Sequence, residues 1–252
     1  APYAAFLPIQ TEKLTIQYER NDPSSVPPRI AHELTVAVDA LGYVTKSASV
    51  GYGRAGTPDY TEQAHSWVLT REDTFVHHVG GTPDTWYRHG IPTESKSWEM
   101  GSDLSTTGIF TPKQIADAWS QSEVDYDADP ADDEKRLLIH TRQRYWDDDL
   151  TAPLAFGTVE SLALPYQSYA KALTAGMLST TLGGNVTAAD GGYENVDSDG
   201  DYWAKSGVQK YGGSPFYLPS EVVDPFGNQT TITYDSHELL VTVEENAVMG
   251  GA

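Results

Sequence analysis

Three consecutive aspartates, Asp147, Asp148 and Asp149, have the residue type and spacing that come closest to a catalytic group in this sequence. A glycosidase needs two carboxylates roughly 5–10 Å apart across the sugar bond, one with a raised pKa, and Glu160 could supply the partner. However, a run of aspartates at the end of a strand-like segment is typical of a solvated turn. We therefore expect these carboxylates to be exposed and replaceable, without a catalytic role.

Two other groups of residues resemble metal ligands only in part. The segment 197–201 carries aspartates at alternate positions, but an EF-hand would need Gly and Glu where Tyr202 and Val208 stand. His77 and His78 are adjacent, and neighbouring residues on a strand point to opposite faces. We therefore predict a polar turn and two ordinary histidines, with no metal and no cofactor.

The other common catalytic signatures are missing from the sequence. It contains no cysteine, which excludes disulfides, thiolate metal sites and a cysteine nucleophile. It contains no Gly-x-Ser-x-Gly elbow, no phosphate loop ending in Gly-Lys-Ser/Thr and no dinucleotide fingerprint after a strand. We therefore assign no catalytic residue and predict that the protein is not an enzyme.

The charge of the chain is strongly negative, with 36 acidic and 16 basic residues and a net charge of −20. Such a surface repels nucleic acid and anionic lipid, so neither is expected as a partner. The acidity is explained by solubility, with electrostatic guidance of a basic partner as the alternative. No apolar run approaches the roughly 20 residues of a membrane-spanning helix.

Two segments, 34–50 and 221–234, have the pattern of β-hairpins. Each places Asp and Gly in a turn between two runs of alternating, β-branched residues. Gly tolerates positive φ at little steric cost, whereas other residues do not. We therefore predict that Gly42 and Gly227 adopt φ > 0 at the tips of these hairpins.

Further strands are predicted at 12–20 and 159–164. In the first, Leu14, Ile16 and Tyr18 alternate with polar residues, which is typical of a half-buried strand. In the second, a short apolar run precedes a proline.

One segment has clear helix signals. Thr111 can cap the helix and Pro112 suits its first turn, while an apolar stripe runs from Ile115 to Trp119. The helix is expected to end near Ser122.

The remaining segments alternate between loop, strand and helix. Residues 125–133 are acidic and contain a proline, which predicts an exposed loop. Residues 135–146 follow as a long strand. A short helix is expected at 174–182, ended by Gly183.

The hairpin near the end of the chain resembles an RHS or YD repeat. Asp-Pro-x-Gly-Asn at 224–228 is followed by Thr/Ile alternation and then by Tyr-Asp at 234–235. A second copy is visible at 32–45, and a blurred third copy begins near Asn246.

A longer, ordered set of motifs resembles the middle region of the B component of Tc insecticidal toxins. The matching segments are 12–21, 28–35, 50–54, 148–154, 160–165 and 191–193. They recur in order along most of the chain, and only about 100–136, with its acidic insert, matches poorly.

The resemblance implies a mainly β fold, in which long antiparallel hairpins form a twisted strip of an RHS-repeat shell with one or two short connecting helices. Residues 1–252 would be one segment of that shell. Its parts would be a hairpin unit at 12–53, a helix plus acidic insert at 100–135 and the RHS/YD hairpin at 216–246. Because B components are many times longer, the chain is expected to be part of a larger polypeptide.

The resemblance also implies a function. In that family the B and C components enclose a toxic effector in a hollow shell, which is secreted and delivers its content through the A-component pore. The partners of this chain would be the rest of the B component, the C component with its effector and, through other parts of the protein, the A-component pore. No residue here maps onto the autoproteolytic residues of the C component.

Two alternative functions remain open at this point. Trp67, Trp86, Tyr87 and Trp98 would form a sugar platform if they were coplanar and exposed, which would indicate a carbohydrate-binding module. A glycosidase would instead require two carboxylates that face each other in a cleft. Buried, scattered aromatic residues would favour the shell.

The strand predicted at 238–244 is the part of the chain least suited to a water-facing edge. Leu239, Val241 and Val243 lie on one face and Leu240 and Thr242 on the other. The strand lacks the inward lysines, prolines and bulges that protect free edges. We therefore expect it to pair on both sides, with residues 229–234 and with chain from outside this segment.

Overall fold

The computed structural model describes residues 6–18, 27–56, 60–78, 86–101, 108–183, 187–213 and 215–247. Strands greatly outnumber helices among these residues, and the predicted mainly β fold is confirmed.

The described residues form thirteen strands, two α-helices and one short 3-10 helix. In chain order these are β1 (Glu12–Gln17), β2 (Arg29–Val38), β3 (Val44–Gly51), the 3-10 helix (Thr61–Ala64), β4 (Trp67–His78), β5 (Arg88–Met100), α1 (Pro112–Ala118), β6 (Ser122–Val124), β7 (Glu134–Tyr145), β8 (Pro165–Leu173), α2 (Ala175–Leu182), β9 (Tyr202–Lys205), β10 (Val208–Tyr211), β11 (Pro219–Val223), β12 (Gln229–Tyr234) and β13 (Val241–Asn246).

The strands of the described residues form two sheets. The larger sheet has the order β1-β2-β3-β4-β5-β7-β8-β9, with β6 paired in parallel to β7. The smaller sheet has the order β10-β11-β12-β13 and is antiparallel throughout. By their contacts, the residues group into two compact units: unit 1 is Ala1–Thr74 with Ser95–Ile139, and unit 2 is Phe75–Glu94 with His140–Ala252.

The core of unit 1 lies between one face of its sheet and helix α1. Leu34, Val50 and Val68 are buried on neighbouring strands, and Ile115 and Ala118 of α1 pack into the same cluster. This arrangement buries an apolar strand face against the apolar stripe of a helix, which is the usual origin of a two-layer core.

Helix α1 begins as the sequence predicts. The Thr111 side chain accepts from the backbone of Gln114, and the Gln114 side chain accepts from the backbone N–H of Thr111, which makes a complete capping box. The helix ends at Ala118 rather than near Ser122. Lys135 donates to the Trp119 carbonyl over 2.8 Å and so satisfies one of the carbonyls that the end of the helix leaves without a helical partner. The exposed acidic loop that follows and the long strand β7 are as predicted.

The first strand is not half-buried, contrary to the prediction. Leu14, Ile16 and Tyr18 are 41 %, 45 % and 65 % exposed. The alternation correctly predicted a strand, but β1 lies at the end of the sheet order, and the residues of α1 pack against the inner strands instead. The segment 19–21 lies outside the described residues.

Two other strand boundaries differ from the prediction for one shared reason. Residues 159–164 are irregular, because the Asp148 carboxylate accepts from the backbone N–H groups of Ser161 and Leu162. Strand β13 starts at Val241 rather than at 238, because Asp235 accepts from the N–H groups at 239 and 240. In both places a carboxylate accepts hydrogen bonds from backbone N–H groups, which are then not available to pair with a neighbouring strand.

Both predicted hairpins are present, and both predicted glycines have positive φ. Gly42 has φ 88° between β2 and β3, and Gly227 has φ 90° between β11 and β12. Helix α2 is also as predicted, with Thr174 as its N-cap and Gly183 at φ 59° after its last turn.

We predict that Gly227→Val lowers the free energy of unfolding by about 1–3 kcal/mol, through strain at a backbone position that disfavours side chains. A Cβ at this position would meet no atom within 4 Å, so the backbone alone causes the loss. Urea denaturation measures it. The matched control is Gly51→Val, also in open space but without positive φ, which should have little effect. Equal losses in the two variants would contradict the explanation.

Candidate interaction surfaces

Strand β13 lies at one edge of the smaller sheet. All six residues of β13 are exposed, and β12 pairs with one side of it, as predicted. The register shifts between Thr233 and Tyr234 and leaves Thr242 as an extra residue in β13, so the prediction that this strand has no bulge is wrong. No strand of the described residues pairs with its other side. Leu239 and Leu240, 78 % and 67 % exposed, precede it, and Val243 is 50 % exposed. We call residues 239–246 the β13 edge; it combines unpaired backbone groups with exposed apolar side chains.

The smaller sheet lacks a core of its own. None of the described residues in β10–β13 is buried. A sheet generally needs an apolar face covered by other elements to be stable in water. The residues of this sheet therefore retain much surface that further chain could cover.

The aspartates of the turns are hydrogen-bond acceptors that hold the hairpins closed. Asp39 accepts from the N–H groups of Leu41 and Tyr43 at 2.8 and 3.0 Å. Asp224 accepts in the same way from positions 226 and 228, at 2.9 and 2.8 Å, and Asp235 from 239 and 240. An aspartate in a turn can bond the backbone that follows it, so the sequence predicts this role for Asp224, but it does not predict the repeated use at Asp39 and Asp235. The Asp-x-x-Gly spacing shared by the first two is the signal that could have revealed it.

These bonds stabilise the charged form of the carboxylates. The side-chain amide of Asn228, followed by the backbone N–H groups of the turn, lowers the pKa of Asp224. Bonds from the backbone at 239 and 240 likewise lower the pKa of Asp235. A group with a lowered pKa stabilises the folded state above its unfolded pKa, and this contribution disappears as the pH falls through the folded value.

We therefore predict that Asp224→Ala lowers stability at neutral pH, and that its difference from the wild type shrinks as the pH falls below about 4, near the unfolded pKa of aspartate. Urea midpoints measured across this range test the prediction. Asp149→Ala, at an exposed position, is the matched control and should leave the midpoint at pH 7 unchanged. A pH-independent difference for Asp224→Ala would contradict the electrostatic explanation.

Asp147 and Asp148 are half-buried rather than exposed, so this prediction is wrong for both; only Asp149 is exposed. Asp147 accepts from the hydroxyl of Thr151 and then from its backbone N–H, and these bonds lower the pKa of Asp147. Glu160 accepts from the backbone N–H of Asp148 at 2.7 Å. The Asp148 carboxylate in turn accepts from the backbone N–H groups of Ser161 and Leu162, which follow Glu160. This arrangement closes a loop and does not present an acid and a base to a substrate.

A partly buried polar cluster of unit 2 surrounds Trp203, which is 0 % exposed. The guanidinium carbon of Arg142 lies 4.8 Å from the centre of the indole ring. The His140 ring packs edge to face against the indole, with 4.6 Å between the ring centres. Glu94 accepts from Arg142 at 2.9 Å and lies 2.5 Å from Nε2 of His140. Asp197 pairs with Arg142 at 2.6 Å. No local pattern of the sequence predicts this cluster, because it joins three segments that are far apart along the chain.

Two of the three aspartates at 197–201 pair with basic side chains, and Asp199 accepts from the backbone N–H of Asp201 at 2.9 Å. Besides the pair between Asp197 and Arg142, Asp201 forms an ion pair with Lys171. Among the described residues, no three His, Asp or Glu side chains are grouped as metal ligands. That the chain binds no metal or cofactor stays a prediction.

The histidine pair and the four aromatic residues have separate roles. His77 accepts from the backbone N–H of Gly90 at 3.0 Å, whereas His78 stacks on Trp86 at 3.6 Å. Trp98 is only 4 % exposed, and its indole donates to Glu123 at 2.8 Å. The proposed sugar platform is therefore wrong for Trp98. Trp67 and Tyr87 are 53 % and 56 % exposed.

Comparison with known proteins identifies the type of chain to which this one is similar. Residues 1–80 match the family described as the insecticide toxin TcdB middle/C-terminal region. No curated protein matches the chain.

No helix in the described part of the chain is long and apolar enough to span a membrane.

Solved structures of Tc toxins have the same fold. A chain of the Photorhabdus luminescens Tc holotoxin pore is similar with a TM-score of 0.71 and 19 % identity, over 94 % of this chain and 12 % of that chain. A chain of the TcdB2–TccC3 complex is similar with a TM-score of 0.71 and 20 % identity, over 93 % of this chain and 12 % of that chain. A chain of TcdB2–TccC3–Cdc42 has a TM-score of 0.66 and 18 % identity, over 94 % of this chain and 13 % of that chain. The resemblance to the middle region of the Tc toxin B component is thus confirmed, and this chain spans a small part of those solved chains.

Proposed function

We propose that this segment, similar to the middle region of a Tc toxin B component, is part of the wall of a hollow RHS-type shell that encloses a toxic effector. The observation that carries the proposal is the β13 edge, in which backbone groups and apolar side chains are exposed together. Native proteins usually cover such an edge or protect it with charge, proline or a bulge. Strand β13 has Glu244, Glu245 and a bulge at Thr242, but no strand of the described residues covers it. In a wall, the next strand of the longer chain provides that cover.

The smaller sheet supports the same proposal. Because none of its described residues is buried, its stability depends on packing against further chain. In the proposed wall, consecutive hairpins lie side by side, so that each sheet gains neighbours at its edges and on its faces. The carboxylate-closed turns at Asp39 and Asp224 keep the hairpins in a fixed register.

The proposal assigns a structural, non-enzymatic role, because the carboxylates that suggested chemistry bond backbone groups and basic side chains instead. The similar structures contain TcdB2 with TccC3 and a holotoxin pore. By analogy, the parent protein would be secreted, bind a C component and its effector, and use other parts of its chain to reach an A-component pore. The further division into units at 12–53, 100–135 and 216–246 is part of this proposal.

Protease protection tests the proposal in the assembled toxin, with the parent B component, its C component and the effector. The effector should resist proteinase K in the wild type and become sensitive when urea opens the shell. Glu244→Pro should also expose it, because proline removes a backbone donor on the free side of β13. Glu244→Ala keeps the donor and should preserve protection. Digestion of the effector in the intact wild-type assembly would contradict the proposal.

A further inference from the structure

Two cavities of unit 1 adjoin at Trp67, the first residue of β4. Their volumes are about 540 Å³ and about 410 Å³. Glu62, His65 and Trp67 line both cavities. We call the two cavities together the Trp67 trough, because these shared residues join them.

The indole of Trp67 is held at the surface with open space beside it. Its side chain is 53 % exposed, whereas the next residue, Val68, is 3 % exposed in the core of unit 1. Trp67 pairs with Gly51 of β3, and side chains at directly opposite positions lie on the same face of a sheet. Gly51 lines the second cavity, and a Cβ at this position would meet no atom within 4 Å. A ligand can therefore reach the indole from the side of Gly51.

The first cavity adds fixed polar groups to the indole. Arg136 donates to Glu99 at 2.6 Å and to Asp129 at 2.9 Å, and Thr61 contributes a hydroxyl to the same lining. The Glu99 and Arg136 side chains are only 14 % and 22 % exposed, whereas that of Asp129 is 97 % exposed. Because a carboxylate has about four acceptor sites, Asp129 keeps sites on its solvent side that a ligand can use.

These groups match the two kinds of surface that a sugar has. The C–H groups on one face of a pyranose ring are apolar and pack against an aromatic ring, while the hydroxyls at its rim donate to carboxylates and accept from N–H and O–H donors. We propose that the Trp67 trough binds an oligosaccharide, with one sugar ring on the indole and hydroxyls of that ring or its neighbour on Asp129. Cavities of roughly this size are typical of small-molecule sites, and two that adjoin have room for more than one ring.

A lysine or arginine side chain of a partner is the other ligand that an indole and carboxylates can hold. The charges of the trough favour the sugar, because three arginines, Arg29, Arg54 and Arg136, line it together with three acidic residues, Glu62, Glu99 and Asp129. A cation gains little from a site whose charges are balanced, whereas a neutral sugar uses both signs as hydrogen-bond partners. The site uses one aromatic residue, and it does not depend on enclosure of an effector.

Saturation-transfer difference NMR of the parent protein tests the site, with cellotriose, chitotriose, maltotriose and sialyllactose as probes. At least one of them should bind with a Kd on the order of 1 mM. Trp67→Ala should weaken this binding by about tenfold or more, because it removes the stacking surface. Gly51→Val should weaken it as well, because its side chain occupies the space beside the indole. Tyr87→Ala is the matched control and should bind as the wild type does, because Tyr87 is a similarly exposed aromatic residue that lines neither cavity.

Two results would overturn the proposal directly. One is the absence of binding by all of the probes at concentrations up to about 10 mM. The other is unchanged binding in Trp67→Ala, which would place the saccharide elsewhere on the protein. Trilysine is the competing probe: if it binds in a Trp67-dependent manner and the saccharides do not, the trough is a site for basic peptides and the sugar proposal is wrong. Circular dichroism checks that each variant is folded, and if Trp67→Ala is not, Gly51→Val decides the question with the indole still in place.

Discussion

Replacement of Trp203 by alanine should lower the free energy of unfolding by about 3–5 kcal/mol, the loss expected when a large buried aromatic side chain leaves a cavity. Trp203 is 0 % exposed, and the Arg142 guanidinium lies 4.8 Å from its ring centre. Its removal takes away both the apolar contact area and the surface against which Arg142 and His140 pack. Because these side chains share Glu94, the loss should extend to the ion pairs of the cluster.

Trp67→Ala is the matched control for this prediction, because Trp67 is 53 % exposed. The same substitution at that position should cost less than about 1 kcal/mol, since exposed side chains away from special features contribute little. Urea denaturation followed by circular dichroism measures both variants. Similar losses in the two variants would contradict the placement of Trp203 at the centre of the unit 2 cluster.

Ile115→Ala should be the second large effect, with a loss of about 2–5 kcal/mol. Ile115 is 0 % exposed and joins α1 to the buried strand residues Leu34 and Val50. A short helix of this kind owes most of its stability to such packing rather than to its intrinsic propensity. The substitution should therefore release α1 from the sheet, which amide hydrogen exchange would detect as faster exchange in the helix.

Lys113→Ala is the control on the same helix. Lys113 is exposed and forms only a surface pair with Asp117, four residues later, so its loss should cost about 0.3–0.5 kcal/mol. If the two substitutions destabilise the protein equally, α1 is not the element that covers the apolar face of the sheet.

Local chemistry determines the features that the sequence predicted correctly. The turns at Gly42 and Gly227 depend on a few neighbouring residues, and the start of α1 depends on Thr111, Pro112 and Gln114. Each of these signals acts within about five residues, so a single sequence is sufficient to find it. The motifs that indicated the Tc toxin B component are also local, and they predicted the fold class correctly.

Tertiary contacts determine the features that the sequence could not predict. The alternation of apolar and polar residues predicted the two faces of β1. Neither face is well covered, because β1 is the last strand at one edge of the sheet, which only the strand order shows. The sequence predicts exposed aspartates at 147 and 148, because no motif indicates that Thr151, Ser161 and Leu162 donate hydrogen bonds to them. The Trp203 cluster joins three distant segments, around 94, 140–142 and 197–203, and no local pattern connects them.

Sedimentation velocity of the 252-residue chain tests most directly whether β13 pairs with a strand from outside this segment. Ala247 donates to the carbonyl of Gln229, so in the alternating antiparallel ladder the N–H of Glu244 points to the free side. We predict that the wild-type chain self-associates at concentrations on the order of tens of micromolar, as exposed strand edges do. Glu244→Pro should remain monomeric, whereas Glu244→Ala should self-associate like the wild type. A wild-type chain that stays monomeric under these conditions, with the N–H of Glu244 protected from hydrogen exchange, would contradict the claim that β13 needs a strand from outside this segment.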